Sequence, residues 1–359
     1  MTEKDLRVLL ISPLPPPAGG IATWTKQYID WASSNSLNVD IVNTAVVGKR
    51  AEKINSGTKL VDEIQRTKNI IKELKYKINK CKPNVIHLNT PCGKLGIIRD
   101  YMCAKIAKRY NAKLFVHYRC NIEDQIGDGI VQKYFFNKLV NIADLNLVLN
   151  NSSKSFLFSE THKDSTLITN FIEEKFILQE TKIVKEVIKV ISFVGHVQRT
   201  KGILEIIDVA KQFPEIDFKL AGPVANEIIN LNLPSNITLL GAISKNEVRE
   251  LLEKSDLFLF PSYTEGFANA LLEAMAMGLP IITTPVGANC DMIESSGGIV
   301  VGVANSTEVV NAINLLKDSN KRIEISMWNI NKVKEEYSTE KVMKKLISLY
   351  RCFGEDKLN

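Results

Sequence analysis

The sequence predicts a doubly wound α/β fold arranged as two domains, and three observations carry this prediction. Short β-branched apolar runs alternate with helical patterns along the whole chain. These runs are almost continuously apolar, which is typical of parallel strands buried on both faces by helices. At 359 residues the chain is also too long for one hydrophobic core of ordinary size.

The strand candidates divide into two series, which set the domain boundaries. Five lie in the first half and six in the second half: LRVLLIS, NVDIVNT, NVIHLN, AKLFVHY and DLNLVLN, then VIKVISFVG, IDFKLAG, NITLLG, DLFLFPS, PIITTP and GGIVVG. The charged stretch over residues 175–186 separates the two series and is typical of an interdomain linker. We therefore predict domains at residues 1–172 and 173–338, the second including this linker, followed by a helix and tail over residues 339–359.

Composition excludes several classes of protein. Hydrophobic residues make up 45% and charged residues 24%, which is ordinary for a soluble globular protein. No apolar stretch reaches the length of a membrane span, and the N-terminus lacks the pattern of a signal peptide. The six cysteines form no CxxC pair and the four histidines have no metal-ligand spacing. We therefore expect a cytoplasmic protein with reduced thiols and no metal site.

Charge is distributed unevenly between the halves. The net charge is +6, but residues 1–172 carry +10 and the remainder −4, which suggests different partners for the two domains. The range 58–80 has apolar residues at helical spacing and lysines at 68, 72, 75 and 77 on its other face. Most such helices are half-buried with a solvated basic face. The alternative is contact with anionic lipid headgroups. No nucleic-acid-binding module is present, so we expect no nucleic-acid partner.

The range 257–291, LFLFPSYTEGFANALLEAMAMGLPIITTPVGANCD, is the most informative part of the sequence. It predicts a strand, a loop with Glu265, and a helix stopped by Gly278 and Pro280. The free N–H groups of the first helical turn suit a phosphate. Glu265 is expected before the helix and Glu273 two turns into it, roughly 12 Å apart along the axis. Each could be an ordinary surface charge, but an idle charge within the apolar run around Glu273 is costly to bury.

A second segment, FVGHVQRTKGI over residues 193–203, predicts a strand ending at Gly195, with Lys201 and Gly202 just before a helix. A basic residue beside a helix N-terminus is suited to a diphosphate. The alternative for Lys201 is a surface lysine, which the flanking glycines make less attractive.

These two segments resemble the signature of retaining GT-B glycosyltransferases of glycosyltransferase family 4, and the resemblance covers nearly the whole chain. It implies a GT-B fold, in which two Rossmann-like parallel-sheet domains face each other across a cleft. It also implies a metal-independent enzyme without a cofactor. The second domain would bind a nucleoside-diphosphate sugar, and the first would bind the acceptor. The last helix, over residues 339–353, would cross back to pack on the first domain.

The resemblance assigns roles to residues around the paired glutamates. Glu265 would lie near the transferred sugar as a catalytic residue, in a loop that includes Gly266. The backbone of Phe267 and Ala268 would reach the sugar hydroxyls, although the family usually has glycine where Ala268 stands. Glu273 would bind the ribose. Ile243, in the segment LLGAISKNEV, would contact the base through its backbone, and Asp291 stands where glutamate is more common.

The resemblance also implies a diphosphate clamp, and here the sequence departs from the family. Lys201 matches, and it would both bind the diphosphate and assist catalysis. His196 stands where the family has an arginine, so a neutral imidazole replaces a fixed, forked charge. Arg199 is a candidate to compensate and equally a candidate surface residue.

In the first domain the loop SPLPPPAGGIAT, residues 12–23, follows the first predicted strand. The family has a glycine-rich loop at this position, facing the donor diphosphate, so Gly19 and Gly20 are predicted to contact the donor through backbone N–H groups. The alternative is a turn without a ligand. His117, at the end of LFVHY, matches a family histidine near the reacting sugar and is our catalytic candidate in this domain. Its alternative is a core histidine. His87 and Asn89 are first assigned structural roles.

The function predicted is transfer of a sugar from a UDP- or GDP-sugar to a hydroxyl of a glycan or lipid-linked acceptor. We expect this to serve cell-surface polysaccharide biosynthesis, in the cytoplasm and at the inner face of the cell membrane. A nucleotide-sugar epimerase and a non-catalytic sugar-nucleotide-binding subunit stay open as alternatives. An NAD-dependent oxidoreductase is disfavoured because neither half has a GxGxxG fingerprint.

Overall fold

The computed structural model describes residues 6–17, 19–45, 60–127 and 129–355. The chain divides into two compact units, Met1–Asn170 with Val342–Asn359, and Phe171–Lys341. The predicted fold class is confirmed, because each unit is built on a six-stranded, fully parallel sheet with helices between its strands. Among the described helices, none combines the length and the apolar character needed to cross a membrane.

The first unit has the strand order β2-β1-β3-β4-β5-β6. Its strands are β1 (Arg7–Ser12), β2 (Asn38–Asn43), β3 (Val85–Thr90), β4 (Lys113–Tyr118), β5 (Leu145–Val148) and β6 (Thr166–Leu167). Its helices are α1 (Gly20–Ser34), α2 (Leu60–Cys81), α3 (Gly96–Ala107), α4 (Ile122–Ile126), α5 (Ile130–Ile142) and α6 (Asn151–Thr161). All five strands predicted in this half are present. The sixth, β6, has only two residues and gives no apolar run to detect.

The second unit has the strand order β12-β11-β10-β7-β8-β9. Its strands are β7 (Val190–Val194), β8 (Asp217–Ala221), β9 (Ile237–Gly241), β10 (Leu257–Phe260), β11 (Ile281–Thr283) and β12 (Gly298–Val300). Its helices are α7 (Ile203–Ala210), α8 (Asn226–Ile229), α9 (Lys245–Lys254), α10 (Asn269–Ala276), α11 (Asn289–Ile293), α12 (Ser306–Leu315) and α13 (Ser319–Lys332). The six strands match the six predicted for this half.

The strand order fixes where a ligand would bind in each sheet. In a doubly wound sheet the order reverses at one point, and ligands bind beyond the carboxyl ends of the strands there. In the first unit the order reverses between β1 and β3, and in the second between β7 and β10. The loops after β1, β7 and β10 carry most of the residues predicted from the sequence.

The last helix, α14 (Thr339–Glu355), contributes to the first unit from Val342 onward. Its Tyr350 is fully buried, with its ring centroid 5.1 Å from that of Phe115. The Tyr350 hydroxyl lies 2.5 Å from Nδ1 of His87. The predicted tail after this helix lies outside the described residues.

The segment predicted as a linker packs within the second unit. Phe176 and Ile177 are buried, and the Leu178 N–H donates to the Ala276 carbonyl oxygen at 2.9 Å. Burial of these apolar side chains explains the packing, because it lowers the free energy of the folded chain by more than the nearby charged residues raise it.

Candidate active site

The loops after β7 and β10 bring Lys201 and Glu265 together in the second unit. Lys201 lies in a 3-10 turn, Arg199–Lys201, and Glu265 lies in the loop between β10 and α10. Lys201 Nζ is 2.5 Å from Glu265 Oε1, and the two side chains are only 20% and 12% exposed. The ammonium also lies 6.0 Å from the centre of the Phe260 ring. Two residues 64 positions apart in sequence thus form one charged pair at the point where the strand order reverses.

Gly202 holds the Lys201 loop against the strand end of β10. Its φ is +74°, and a Cβ at this position would lie 2.1 Å from the Pro261 carbonyl oxygen. The Tyr263 N–H donates to the Thr200 carbonyl oxygen at 3.0 Å. Only glycine satisfies both the positive φ and the close approach. The position of Lys201 is therefore set by backbone contacts.

Gly287 supports the Glu265 loop in a similar way. Its φ is +56°, and a Cβ there would meet the Glu265 carbonyl oxygen at 2.1 Å. The Ala288 N–H donates to the Gly266 carbonyl oxygen at 3.1 Å. The backbone that carries Glu265 is therefore fixed by the connection from β11 to α11.

The N-terminus of α10 follows the Glu265 loop and is not capped by a side chain. Its N-cap residue is Ala268, which is almost completely buried and makes no side-chain capping hydrogen bond. Phe267 anchors this end, with its ring 5.9 Å from that of Tyr337. An uncapped helix N-terminus carries partial positive charge and free N–H donors, which suit a phosphate or a sugar hydroxyl.

The structure corrects the predicted position of Glu273. Helix α10 begins only at Asn269, so Glu273 lies one turn into it rather than two. The residue is half-buried, and burial of its carboxyl group raises the pKa to about 7, with Lys245 opposing this shift. Within the described part of the chain, its carboxylate accepts no hydrogen bond. Glu273 therefore offers a half-buried acceptor to a hydroxyl-bearing ligand.

Glu273 is expected to make stability depend on pH. Its pKa is about 7 in the folded chain and 4.5 ordinarily, so the folded chain binds a proton more tightly. The stabilisation is fully present below the ordinary pKa and is lost as pH rises through about 7. We expect the difference in Tm between Glu273→Gln and the wild type to shift in favour of the variant as pH rises from about 5 to about 8. Thermal unfolding measures this difference.

Glu250→Gln is the matched control, because Glu250 is an exposed glutamate on α9 paired only with Lys254. Its Tm should follow the wild-type Tm at every pH. Parallel curves for Glu273→Gln and the wild type would contradict the buried state of Glu273.

Ile243 lies between β9 and α9, close in sequence to the cation that acts on Glu273. Ser244 caps α9 by accepting from the Glu247 N–H at 3.3 Å, and the Glu247 carboxylate accepts from the Ser244 N–H at 2.7 Å. Lys245 is the next residue, 2.8 Å from the Glu173 carboxylate. Sequence reasoning missed Lys245, although its position beside Ile243 was a usable signal.

His196 and Arg199 stand apart from the Lys201–Glu265 pair in their contacts. His196 is exposed. The Arg199 backbone N–H donates to Glu227 at 3.1 Å, and its Nε lies 3.5 Å from the Glu227 carboxylate. Arg199 therefore forms a solvent-exposed ion pair with Glu227, 28 residues along the chain.

His117, in the first unit, is fully buried at the end of β4. Its Nε2 lies 3.1 Å from the Ile168 carbonyl oxygen, which can only accept, so Nε2 carries the proton. Burial, Arg119 and His87 hold its pKa well below the ordinary value. His117 is therefore neutral, and its N–H is already used within the protein. This arrangement is that of a core histidine, which is the alternative role given above for His117.

His87 and Asn89 on β3 also have partners within the first unit. Burial, assisted by Arg119, lowers the pKa of His87 to about 3. Asn89 donates to the Ser12 hydroxyl at 2.9 Å, and Ser12 lies 2.6 Å from the Thr25 hydroxyl. These contacts join β3, β1 and α1 through buried polar groups.

Gly19 and Gly20 stand at the start of α1. Gly19 is the N-cap, with extended backbone at φ 175°, and no side chain caps this helix end. Among the described atoms, none lies within 4 Å of a Cβ built at Gly19. Neither backbone conformation nor packing in the described residues demands a glycine there.

Comparison with known proteins agrees with this fold. Residues 175–328 match the family described as "Glycosyl transferases group 1". HepE of Anabaena, solved in complex with UDP and glucose, has the same fold at a TM-score of 0.70 and 15% identity, covering 97% of this chain and all of that chain. The two-sheet architecture is that of the GT-B fold, and residues 175–328 carry the match to this glycosyltransferase family. The predicted recognition of this class is therefore confirmed.

Two curated relatives extend the similarity. N-acetyl-alpha-D-glucosaminyl L-malate synthase of Bacillus anthracis is 30% identical over 227 residues, which span 56% of this chain and 59% of that protein. The capsular polysaccharide biosynthesis glycosyltransferase CapM of Staphylococcus aureus is 23% identical over 361 residues, covering 90% of this chain and 92% of that protein. The second relative therefore matches along both units.

Proposed function

We propose that this GT-B protein is a metal-independent, retaining enzyme that transfers a sugar from a nucleoside-diphosphate sugar to a hydroxyl group. The observation that carries the proposal is the Lys201–Glu265 pair, 2.5 Å apart and beside the uncapped N-terminus of α10. It combines a cation for the leaving diphosphate with a carboxylate for the sugar, at the edge of the sheet where ligands bind. The second unit would bind the donor and the first the acceptor.

The proposed mechanism depends on electrostatic stabilisation of the leaving group. Lys201 and the first-turn N–H groups of α10 would stabilise the negative charge that develops on the diphosphate. Glu265 would accept hydrogen bonds from hydroxyls of the sugar, next to the backbone of Gly266, Phe267 and Ala268. No residue serves as a covalent nucleophile, since the acceptor would attack the face that the diphosphate leaves.

The other predicted donor contacts follow from their positions. Glu273 would bind the ribose, because its carboxylate has no hydrogen-bond donor among the described residues. Ile243 would contact the base through its backbone. His196 would lie at the diphosphate without supplying a fixed charge, and Arg199 would contribute only after leaving Glu227. Gly19 and Gly20 would offer backbone N–H groups. His117 enters the proposal as a positioning residue, because its N–H is already donated to Ile168.

We propose a UDP- or GDP-sugar as the donor, and the complex of HepE with UDP and glucose supports UDP. Two alternatives give different products. A nucleotide-sugar epimerase would release an epimer from the donor alone. A non-catalytic subunit would bind the donor without consuming it. Transfer that requires an acceptor excludes both.

For the acceptor we propose a glycan or lipid-linked hydroxyl in cell-surface polysaccharide biosynthesis, reached at the inner face of the membrane. The name of CapM supports the pathway. A cavity of about 340 Å³ between α2 and α3 supports an apolar acceptor component, and its lining is mostly apolar: Ile64, Ile71, Leu95, Ile98 and Met102. Ile64, on the rim of this cavity, is 49% exposed, whereas Ile70 of the same helix is buried.

The basic face of α2 beside this cavity is expected to bind anionic membranes. Lys68, Lys72 and Lys75 are exposed, while Lys77 pairs with Asp40 at 3.5 Å. Each lysine near an anionic surface contributes about 1 kcal/mol, so replacing all three with alanine should weaken binding by about 100-fold. Flotation with phosphatidylglycerol vesicles measures this.

The matched control removes three exposed lysines from the second unit, namely Lys211, Lys254 and Lys321. It should leave flotation unchanged. Equal losses in both triple variants would mean that net charge, rather than this helix face, governs binding.

The proposed function is tested with a panel of nucleotide sugars. We expect one UDP- or GDP-sugar to raise the Tm of the full chain and to be consumed when an acceptor mixture is supplied. Failure of every nucleotide sugar to bind would refute the proposal.

A further inference from the structure

Arg119, directly after β4 in the first unit, is a buried cation that the proposed donor site does not use. It is only 7% exposed, and it forms no ion pair with any aspartate or glutamate of the described chain. Burial lowers the pKa of its guanidinium to about 9. An arginine in such surroundings is costly to keep charged, so its presence needs a reason.

The contacts of Arg119 are all with neutral groups. Its guanidinium carbon lies 4.4 Å from the centre of the Trp24 ring, and its Nη2 donates to Oδ1 of Asn170. Its Nη1 lies against the His117 imidazole, 3.4 Å from Nδ1 and 3.3 Å from Nε2. Its Nε has no hydrogen-bond partner in the described structure. The guanidinium is thus held in place with a donor to spare.

Arg99 shows how this same unit treats a structural arginine. It is also buried, at 5% exposure, but Asp100 lies 2.8 Å away and Glu63 lies 3.6 Å away. Arg99 thus has counter-ions inside the protein. The contrast indicates that the counter-ion of Arg119 comes from a ligand.

The position of Arg119 in the sheet fits an anionic ligand. It follows the carboxyl end of β4, the edge at which doubly wound sheets bind ligands. Trp24, on which its guanidinium stacks, belongs to α1. A buried cation without a counter-ion among the described residues favours a negatively charged partner.

We propose that Arg119 binds an anionic group of the acceptor, a carboxylate or a phosphate, and that Trp24 and His117 orient its guanidinium. The acceptor assignment rests on the proposed function. The donor diphosphate is the other source of such an anion, but Lys201 in the second unit is already proposed to bind it. The acceptor of this enzyme would therefore be negatively charged near the reacting hydroxyl.

The test uses the full chain carrying Lys201→Ala, which removes the cation of the proposed donor phosphate site, with inorganic phosphate as the probe at constant ionic strength. The readout is the indole N–H resonance of Trp24, the residue that Arg119 stacks on. We expect a saturable shift in this parent, and a loss of affinity of about tenfold or more in Arg119→Met. Arg109→Met, which removes the same charge from an exposed position, should bind phosphate like the parent.

Three results would overturn the proposal. They are no shift in the parent, equal affinity in Arg119→Met, and a drop in Tm for Arg119→Met as large as that for Arg99→Met. The last would give Arg119 a structural role, because removing an arginine without a counter-ion should lower Tm less than removing Arg99, which leaves a buried carboxylate unpaired. If Arg119→Met does not fold, the phosphate affinity of Arg119→Lys is measured in its place. Lysine keeps the charge without the forked donors, so phosphate should bind less tightly, and equal affinity would count against recognition by the guanidinium.

A second titration separates the two sources of the anion. In the wild type saturated with UDP, phosphate should still shift the Trp24 resonance if the site serves the acceptor. Loss of that shift would assign Arg119 to the donor diphosphate and overturn the acceptor assignment. Because neither titration requires turnover, their outcomes stay independent of whether a sugar donor is found.

Discussion

Lys201→Ala is expected to lower kcat/KM by about 10²- to 10³-fold, the cost of removing one donor that stabilises a developing oxyanion. Lys201 is the cation that the loop after β7 presents at the point where strand order reverses, and its ammonium is 2.5 Å from Glu265. Steady-state release of nucleoside diphosphate measures the effect. The loss should fall mainly on kcat, because the charge on the leaving group grows in the transition state.

Lys211→Ala is the matched control for this prediction. Lys211 is exposed at the end of α7 and pairs only with Asp208 at 2.9 Å. Its removal should leave kcat/KM within experimental error and Tm nearly unchanged. An equal loss of activity in Lys201→Ala and Lys211→Ala would contradict a specific role for Lys201.

Glu265→Gln is expected to lower kcat/KM by about 10²-fold or more. The amide keeps the shape of the side chain but loses the charge that orients Lys201 and accepts the sugar hydroxyls. The two residues form one unit, so the double variant Lys201→Ala with Glu265→Gln should lose little more activity than the worse single variant. Values of kcat/KM for the wild type, the two single variants and the double variant give the coupling energy between the two side chains.

Glu227→Gln serves as the control for the carboxylate. Glu227 is exposed and pairs with Arg199, so the variant tests at the same time whether Arg199 contributes to donor binding. We expect little change in kcat/KM. If the double variant Lys201→Ala with Glu265→Gln loses kcat/KM by the product of the two single losses, Lys201 and Glu265 act independently.

Much of the fold could be predicted because its strands are buried on both faces. Runs such as Leu257–Phe260 are apolar at every position and buried at every position, so composition alone marks them. The strand β6 lacks such a run. The sequence pattern places Glu273 two turns into its helix, but α10 begins only at Asn269. Its start depends on the packing of Phe267 and Ala268 before it, which the local sequence does not encode.

The candidate site was predictable where chemistry and local sequence coincide. Lys201 and Glu265 each follow a strand and precede a helix, and these positions meet at one sheet edge. The ion pair of Arg199 with Glu227 and the hydrogen bond of His117 to Ile168 were not predictable, because both join distant residues. The burial of Arg119 without a counter-ion had only a weak signal, a charged residue directly after an apolar strand.

The most direct test of the account is ¹H NMR of a reaction containing the full chain, the nucleotide sugar that binds, and an acceptor mixture. The account predicts a new glycosidic product whose anomeric proton has the configuration of the donor, formed by the wild type and lost in Lys201→Ala. A product of inverted configuration would contradict retention, and release of an epimer without any acceptor would contradict glycosyl transfer itself.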